Sequence, residues 1–173
     1  MALRLLVEAR PGAGKTTAFR RLAALLREAG IPAAGFTTEE LREGGRRVGF
    51  AVESLEGDRA VLAHLDLPGP PRVGRYGVDL EAFERIALPA LGPPEGGVVL
   101  IDELGKMELA SQPFRDALGE LLDRPVALVA SVHTARHPFT DRLKGRGDVE
   151  LIRLTAGNRD ELPTALARRL PKA

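Results

Sequence analysis

Nine consecutive residues near the amino terminus have the composition of a phosphate-binding turn. They combine small residues with a lysine and two threonines: Ala9, Arg10, Pro11, Gly12, Ala13, Gly14, Lys15, Thr16 and Thr17. The apolar segment Leu3–Val7 precedes them, and a helical pattern begins near Lys15. A strand, a glycine-rich turn and a helix form the context in which G-x-x-x-x-G-K-[ST] predicts a P-loop. We therefore expect this turn to bind a polyphosphate.

The residue types of this turn suggest individual roles. Small residues let backbone N–H groups converge on an anion at a helix N-terminus. Lys15 is expected to reach the β- and γ-phosphates, and the Thr16 hydroxyl to ligate Mg²⁺. Thr17 either reaches the α-phosphate or simply begins the helix. Ala9 departs from the pattern, because it stands where the first glycine is expected. Binding should survive this change, since the donors come from residues nearer Lys15.

Two adjacent carboxylates form the second candidate feature. Asp102 and Glu103 follow the aliphatic run Val98–Ile101. Carboxylates at the end of a buried strand need partners, and a metal–phosphate site supplies them. We predict that Asp102 holds Mg²⁺ directly or through water, and that Glu103 activates the attacking water as general base.

Other polar residues carry weaker signals. Ser131 and His133 end another apolar strand, where they either orient water near the γ-phosphate or simply terminate the strand. An arginine in the transition state can contribute about 10³–10⁵ in rate. Five arginines at loops or element ends are candidates, although each alone is more simply a surface residue: Arg10, Arg42, Arg136, Arg142 and Arg146. The three histidines show no metal-ligand spacing.

The elements that position these residues alternate between strand and helix. Continuous apolar runs predict strands covered on both faces, at about 3–8, 33–38, 98–103, 126–132 and 149–154. Helical spacing, with Asp79 and Ser111 as N-caps, predicts helices from Lys15 to before Gly30 and over 80–91, 111–122, 138–143 and 158–170. Alternating strands and helices predict a mostly parallel, doubly wound sheet.

The middle of the chain has a different pattern. Glu39 to Leu65 contains Gly44-Gly45 and Gly57-Asp58 between short alternating segments, which predicts a β-meander. We expect a small antiparallel insertion beside the parallel core, over about 39–65. The pair Gly35-Phe36 just before it is interpreted as tight packing.

Length and composition limit the protein class. A chain of 173 residues is most simply one domain, here 1–173. It contains no cysteine, so we expect neither disulfides nor thiol chemistry and favour a cytoplasmic location. The apolar start is too short for a signal peptide or a membrane span. A net charge of +1 argues against a broad basic face for nucleic acid.

Several segments together resemble one family, the small P-loop nucleoside-triphosphatases that include the human cancer-related nucleoside-triphosphatase and its bacterial and archaeal relatives. The most distinctive segment is I-D-E-L-G-K-M-E at 101–108. The resemblance spans nearly the whole chain and also rests on 10–17, 35–40, 47–50, 75–78, 83–84, 137–138 and 158–160.

This resemblance implies a fold, a reaction and a site. The fold would be a three-layer α/β core of the RecA/nucleotide-kinase kind, and the reaction Mg²⁺-dependent hydrolysis of nucleoside triphosphates with broad base tolerance. Lys15 and Glu103 would be the catalytic residues, in a protein expected to be a monomer. The implied nucleotide site is the P-loop together with Leu100, Ile101, Asp102, Glu103, Leu104, Gly105, Lys106 and Met107.

Two other functions are compatible with the same residues. A nucleotide or nucleoside kinase would pass the γ-phosphate to a small acceptor, with residues 136–146 as a short arginine-rich lid. A switch that binds nucleic acid or protein would instead use slow hydrolysis of the triphosphate as a timer, with nucleic acid accelerating it in the first case, although the balanced charge counts against the nucleic-acid version.

Overall fold

The fold is organised around a single mixed sheet. The computed structural model describes residues 2–170, and in this range nine strands lie in the order β5-β6-β4-β3-β2-β7-β8-β1-β9. The strands are β1 (Arg4–Ala9), β2 (Ala33–Glu43), β3 (Arg46–Ser54), β4 (Arg59–His64), β5 (Arg72–Val73), β6 (Tyr76–Val78), β7 (Val98–Ile101), β8 (Ala127–His133) and β9 (Glu150–Arg153).

Helices cover both faces of this sheet. They are α1 (Lys15–Glu28), α2 (Leu80–Ala90), α3 (Gln112–Leu122), α4 (Pro138–Lys144) and α5 (Leu162–Arg169), with a 3₁₀ turn at Glu108–Ala110. One core cluster joins α1 and α5 to the sheet, and a second joins α2 and α3 to its other face. The three-layer α/β arrangement expected from the sequence is therefore confirmed. Among the described residues, no helix has the length and apolarity needed to span a membrane.

The parallel half of the sheet collects the chemically important strand ends. Strands β2, β7, β8, β1 and β9 are neighbours and run parallel. Strand β8 lies between β1 and β7, so it separates the strand before the P-loop from the strand before the two carboxylates. Ligands of such sheets bind at the carboxyl ends of the strands.

Local capping explains where several helices begin and end. The Asp79 carboxylate accepts from the backbone N–H of Ala82 at 3.0 Å, and Ser111 Oγ accepts from that of Phe114 at 3.2 Å. The prediction of both residues as N-caps from the sequence is confirmed. Helix α1 ends just before Gly30, whose φ of +71° is the left-handed conformation that glycine accepts readily.

The antiparallel region is larger than the sequence predicts. Strand β2 does not stop at Thr38 but continues to Glu43, and it pairs with β7 on one side and β3 on the other. The meander therefore extends the core sheet itself and continues past Leu65 into β5 and β6. These last strands have only two and three residues, so they leave almost no periodic signal in the sequence.

Gly35 explains how closely β2 approaches its parallel neighbour. Its φ is +124°, and a Cβ at this position would lie 1.8 Å from the carbonyl oxygen of Leu100. Phe36 follows with no exposed surface and makes edge-on contacts with Phe83 and Phe114 at 5.7 and 5.8 Å between ring centroids. The interpretation of this pair as tight packing is thus confirmed.

The last helix begins later than predicted. Helix α5 starts at Leu162 rather than Asn158. The Asn158 side chain accepts from the backbone N–H of Thr155 at 2.8 Å and donates to the carbonyl of Arg153 at 2.8 Å. Asparagine side chains compete with helix formation through such local bonds, and here they close a turn between β9 and α5.

Candidate functional site

The P-loop turn joins β1 to α1 at the carboxyl edge of the sheet. Gly12 and Gly14 have φ of +78° and +97°, a conformation that strains other residues. Gly14 is the N-cap of α1 and provides no side-chain cap, so the N–H groups of the first turn remain available to a ligand. Ala9 lies in β1, is 1% exposed and does not have positive φ, so alanine costs no left-handed strain there.

The first polar contact across the cleft links Thr16 to Asp102. Thr16 Oγ1 donates to the Asp102 carboxylate at 2.7 Å, and Ser131 Oγ donates to its other oxygen at 2.7 Å. Asp102 is 1% exposed, and Ser131 is fully buried on β8. Two hydroxyl groups thus fix the orientation of a carboxylate that lies at the base of the cleft.

The second contact links Lys15 to Glu103. The Lys15 ammonium donates to the Glu103 carboxylate, and His133 Nε2 lies 2.9 Å from the same carboxylate. Strand β8 brings His133 into place because it lies between β1 and β7. Glu103 is therefore held between one group from the P-loop and one from the adjacent strand.

Burial affects the two neighbouring carboxyl groups differently. Burial raises the pKa of Asp102 above its ordinary value, and the hydrogen bonds from Ser131 and Thr16 only partly oppose it. Burial alone would also raise the pKa of Glu103, but the hydrogen bond from His133 and the charge of Lys15 outweigh it and hold that pKa low. Glu103 is therefore an ionised carboxylate at neutral pH in the nucleotide-free protein.

A third carboxyl group, Glu108, lies close to these two. It is 3% exposed, and its Oε2 atom has no hydrogen-bond partner among the described residues. Burial and the negative charge of Glu103 raise its pKa well above the ordinary value. A Cβ on Gly105 would lie 3.1 Å from Glu108 Oε1 and 3.2 Å from Glu103 Oε1, so both carboxyl groups adjoin this glycine.

One cleft of about 670 Å³ contains most of the residues predicted from the sequence. Its lining includes Pro11, Gly12, Gly14, Lys15, Thr16, Thr17, Asp102, Glu103, Leu104, Gly105, Lys106, Met107 and His133. Leu100 and Ile101 are fully buried in β7, where they support the site from the core without facing the cleft. Arg10 and Ala13 belong to the turn but are not among the lining residues.

The candidate arginines are mostly engaged elsewhere. Arg42 pairs with Glu40 and Arg146 with Asp148, while Arg142 lies over the Phe139 ring. Arg10 is exposed. Of the five, Arg136 alone is among the described residues that line the cleft, and its side chain is 92% exposed beside Asp141.

Two arginines that the sequence did not single out also line the cleft. Arg20, one and a half turns after Lys15 on α1, pairs with Glu39 at 2.6 Å. Arg47 on β3 donates to the Tyr76 hydroxyl at 3.0 Å. Arg20 lies four residues after Thr16 and therefore on the same face of α1, which was a usable signal, whereas the place of Arg47 depends on the long-range pairing of β2 with β3.

A lysine on α4 joins the ends of two strands beside the P-loop. Lys144 Nζ donates to the carbonyl of His133 at 2.9 Å and forms an ion pair with buried Glu8 at 2.6 Å. The lid segment proposed from the sequence is thus attached to β1 and β8 at its carboxyl end. Lys144 thereby helps to fix the spacing between the P-loop strand and His133.

The donor set at Thr16 and Asp102 fits a small divalent cation with oxygen ligands. Mg²⁺ binds through one or two protein oxygens and keeps several waters, with substrate phosphates as further ligands. Thr16 Oγ1 and the buried Asp102 carboxylate supply such oxygens side by side. In residues 2–170 no group of three or more histidine, aspartate or glutamate side chains is arranged to hold a metal.

Comparisons with known proteins identify the family and the fold. A family model described as NTPase matches residues 4–167. The chain is 41% identical to "Nucleoside-triphosphatase THEP1" of Thermotoga sp. (strain RQ2), over 92% of this chain and 91% of that protein. It is 38% identical to the human "Cancer-related nucleoside-triphosphatase", over 94% and 93%. The crystal structure of THEP1 from the hyperthermophile Aquifex aeolicus superposes with a TM-score of 0.86 at 32% identity, over 97% of this chain and 99% of that one.

Proposed function

The chain belongs to the nucleoside-triphosphatase family, and from this membership we propose that it hydrolyses nucleoside 5′-triphosphates to diphosphate and phosphate with Mg²⁺ and broad base tolerance. The observation that carries the proposal is the meeting of Lys15 with Glu103 and of Thr16 with Asp102 in one cleft. These four side chains come from two separate strand ends, and each has the chemistry that phosphoryl transfer to water requires.

The P-loop binds and orients the phosphates in this proposal. The free N–H groups of the first turn of α1 and the Lys15 ammonium hold the β- and γ-phosphates. The Lys15 ammonium has three N–H donors, so it can donate to the phosphate oxygens in addition to its contact with Glu103. Thr16 and Asp102 would hold Mg²⁺, which neutralises charge on the phosphate oxygens when bound.

Glu103 acts on the water. As the water oxygen bonds to the γ-phosphorus, its proton passes to the Glu103 carboxylate and the bond to the β,γ-bridging oxygen breaks. His133, 2.9 Å from Glu103, positions that carboxylate. Broad base tolerance is supported by the fact that all these contacts concern phosphates and water.

Phosphate release from ATP, GTP, CTP and UTP, with Mg²⁺ and with EDTA, tests this function. We expect turnover of all four with Mg²⁺ only, and loss of it in Lys15→Ala. Arg21→Ala is the matched control, because Arg21 is an exposed cation on the same helix. Undiminished turnover in Lys15→Ala would refute the assigned site.

A further inference from the structure

The cleft extends well beyond the carboxylates. The P-loop follows β1 and the carboxylates follow β7, whereas a further part of the lining comes from β3, β4 and β5 on the far side of β2. We define the outer chamber by Phe50, Leu62 and Val73 of these strands together with Met107 from the loop after β7. In sheet order the carboxylates therefore lie between the P-loop and the outer chamber.

The outer chamber has an apolar lining. Leu62 is 1% exposed and belongs to a buried core cluster, and Phe50, Val73 and Met107 are partly buried and pack against that cluster. Phosphates and Mg²⁺ gain nothing from such walls, which favour an apolar body that displaces water. The chamber is thus chemically unlike the P-loop end of the same cleft.

The charged groups on β2 and β3 at the chamber's rim are already paired. Arg47 lies 3.3 Å from Glu40 and 5.4 Å from the centre of the Phe50 ring, and Arg42 lies 2.7 Å from the same Glu40. Arg20 similarly pairs with Glu39. These compensated charges on β2 and β3 offer little to a second phosphate and are compatible with an uncharged ligand, although Lys106, exposed beside Met107, forms no ion pair among the described residues.

A polar group lies at the inner end of the chamber. Glu108 follows Met107, lines the cleft and has one carboxyl oxygen without a hydrogen-bond partner among the described residues. Buried polar atoms are normally paired; this oxygen is closed to solvent beneath the cleft lining, so a ligand group can complete it only after the Glu108 side chain turns toward the cleft. A hydroxyl group would do so, with a modest rotation of the glutamate side chain.

We propose that the outer chamber binds a second small molecule beside the nucleotide: an uncharged compound with a ring-sized apolar body and a hydroxyl group. The proposal rests on the proposed function, because that function assigns the phosphates to the P-loop end. The ligand would lie on the γ-phosphate side of Glu103, while the nucleotide remains bound.

Benzyl alcohol is a suitable probe, since it has one apolar ring and one hydroxyl. Its binding to the full-length protein is measured by saturation-transfer NMR, without nucleotide and with Mg²⁺ and a non-hydrolysable ATP analogue. We expect saturable binding in both states, weakened about tenfold or more in Val73→Arg, whose side chain would fill the chamber. Val61→Arg is the matched control: Val61 lies on β4, is 44% exposed and does not line the cleft.

Three results would overturn the proposal: no saturable binding to the wild-type protein, equal binding to Val73→Arg, or displacement of benzyl alcohol by the ATP analogue. The last result would assign the chamber to the nucleotide itself. Retained hydrolysis in Lys15→Ala would instead refute the proposed function. In that case benzyl alcohol binding would still be weakened by Val73→Arg. The two failures are therefore distinguishable.

Discussion

The two carboxylates after β7 differ in their electrostatic surroundings. Asp102 is surrounded by neutral hydroxyl donors, whereas Glu103 faces a lysine and a histidine. A buried carboxylate with only neutral partners favours the approach of a cation. One with a cationic partner remains ionised, as a general base must. Two adjacent residues of similar chemistry are thereby suited to different tasks.

Glu103→Gln should lower phosphate release by about 10²–10⁴-fold, because it removes a general base while keeping the shape of the side chain. Steady-state phosphate release with Mg²⁺ and ATP measures the effect. Glu43→Gln, an exposed glutamate on β2, should retain wild-type turnover. Wild-type turnover in Glu103→Gln would exclude the assigned base.

Glu108 makes the stability of the protein depend on pH. Its folded-state pKa is raised above the ordinary value of 4.5, so the folded protein binds more protons than the unfolded chain between these two values. The contribution to stability is complete below pH 4.5 and is lost as pH rises through the folded-state pKa. Glu108→Gln lacks this titrating carboxyl group. We therefore expect the unfolding free energy of the variant minus that of the wild type to increase as pH rises above 4.5.

Urea unfolding of both proteins at a series of pH values measures this difference. Comparison with the wild type at each pH cancels the contributions of titrating groups remote from Glu108, and the difference reports on Glu108 together with its neighbour Glu103. A difference that stays constant or shrinks as pH rises would contradict a raised folded-state pKa of Glu108.

The principal residues of the site were predictable from sequence because their signals are local. Lys15 and Thr16 belong to a glycine-rich turn, and Asp102 and Glu103 end an aliphatic strand. Glu108 was not predictable as a buried acid, since its burial depends on how the loop after β7 folds back over the sheet. The same applies to Arg47, which reaches the cleft through strand pairing.

A single residue, Ser111, both begins helix α3 and links it to helix α2. Ser111 caps α3 through Phe114 and also donates to Glu84 of α2 at 2.7 Å. It is fully buried, so neither bond can be replaced by water without rearrangement. One hydroxyl thus orients two helices on the same face of the sheet.

Ser111→Ala should lower the free energy of unfolding by about 1–2 kcal/mol, through loss of the cap and of the bond to Glu84. Asp79→Ala, which removes only a cap, should cost about 1 kcal/mol. Chemical denaturation with a common m-value measures both. A larger loss in Asp79→Ala than in Ser111→Ala would contradict the double role of Ser111.

Helices and strands differ in how well the sequence predicts their bounds. The central strands β7 and β8 agree closely with prediction because long aliphatic runs specify them. The bounds of β2 and α5 do not agree, since a polar strand end and a turn closed by Asn158 depend on neighbours distant in the sequence. Long-range pairing therefore determines the bounds of those elements that the local sequence pattern does not specify.

We expect the parallel and antiparallel regions to unfold together, as one domain. Strand β2 belongs to both, and Phe36 on β2 packs against Phe83 and Phe114 of the helices. Tyr76, the sole tyrosine in a chain without tryptophan, lies on β6 and reports on the antiparallel region. Its fluorescence and the far-ultraviolet circular dichroism should give coincident urea transitions. An earlier transition of Tyr76 would indicate two separately folding units.

Strand β2 also separates two groups of strands whose side chains have different proposed roles. On one side, β7, β8 and β1 carry the residues assigned to phosphates and water, and on the other, β3, β4 and β5 line the outer chamber. Side-chain changes on β3–β5 leave the backbone pairing of β1, β7 and β8 untouched. On the two proposals made above, substitutions confined to the chamber would change the compound recognised and retain the residues assigned to hydrolysis, so a designed library restricted to the chamber would explore recognition without removing turnover.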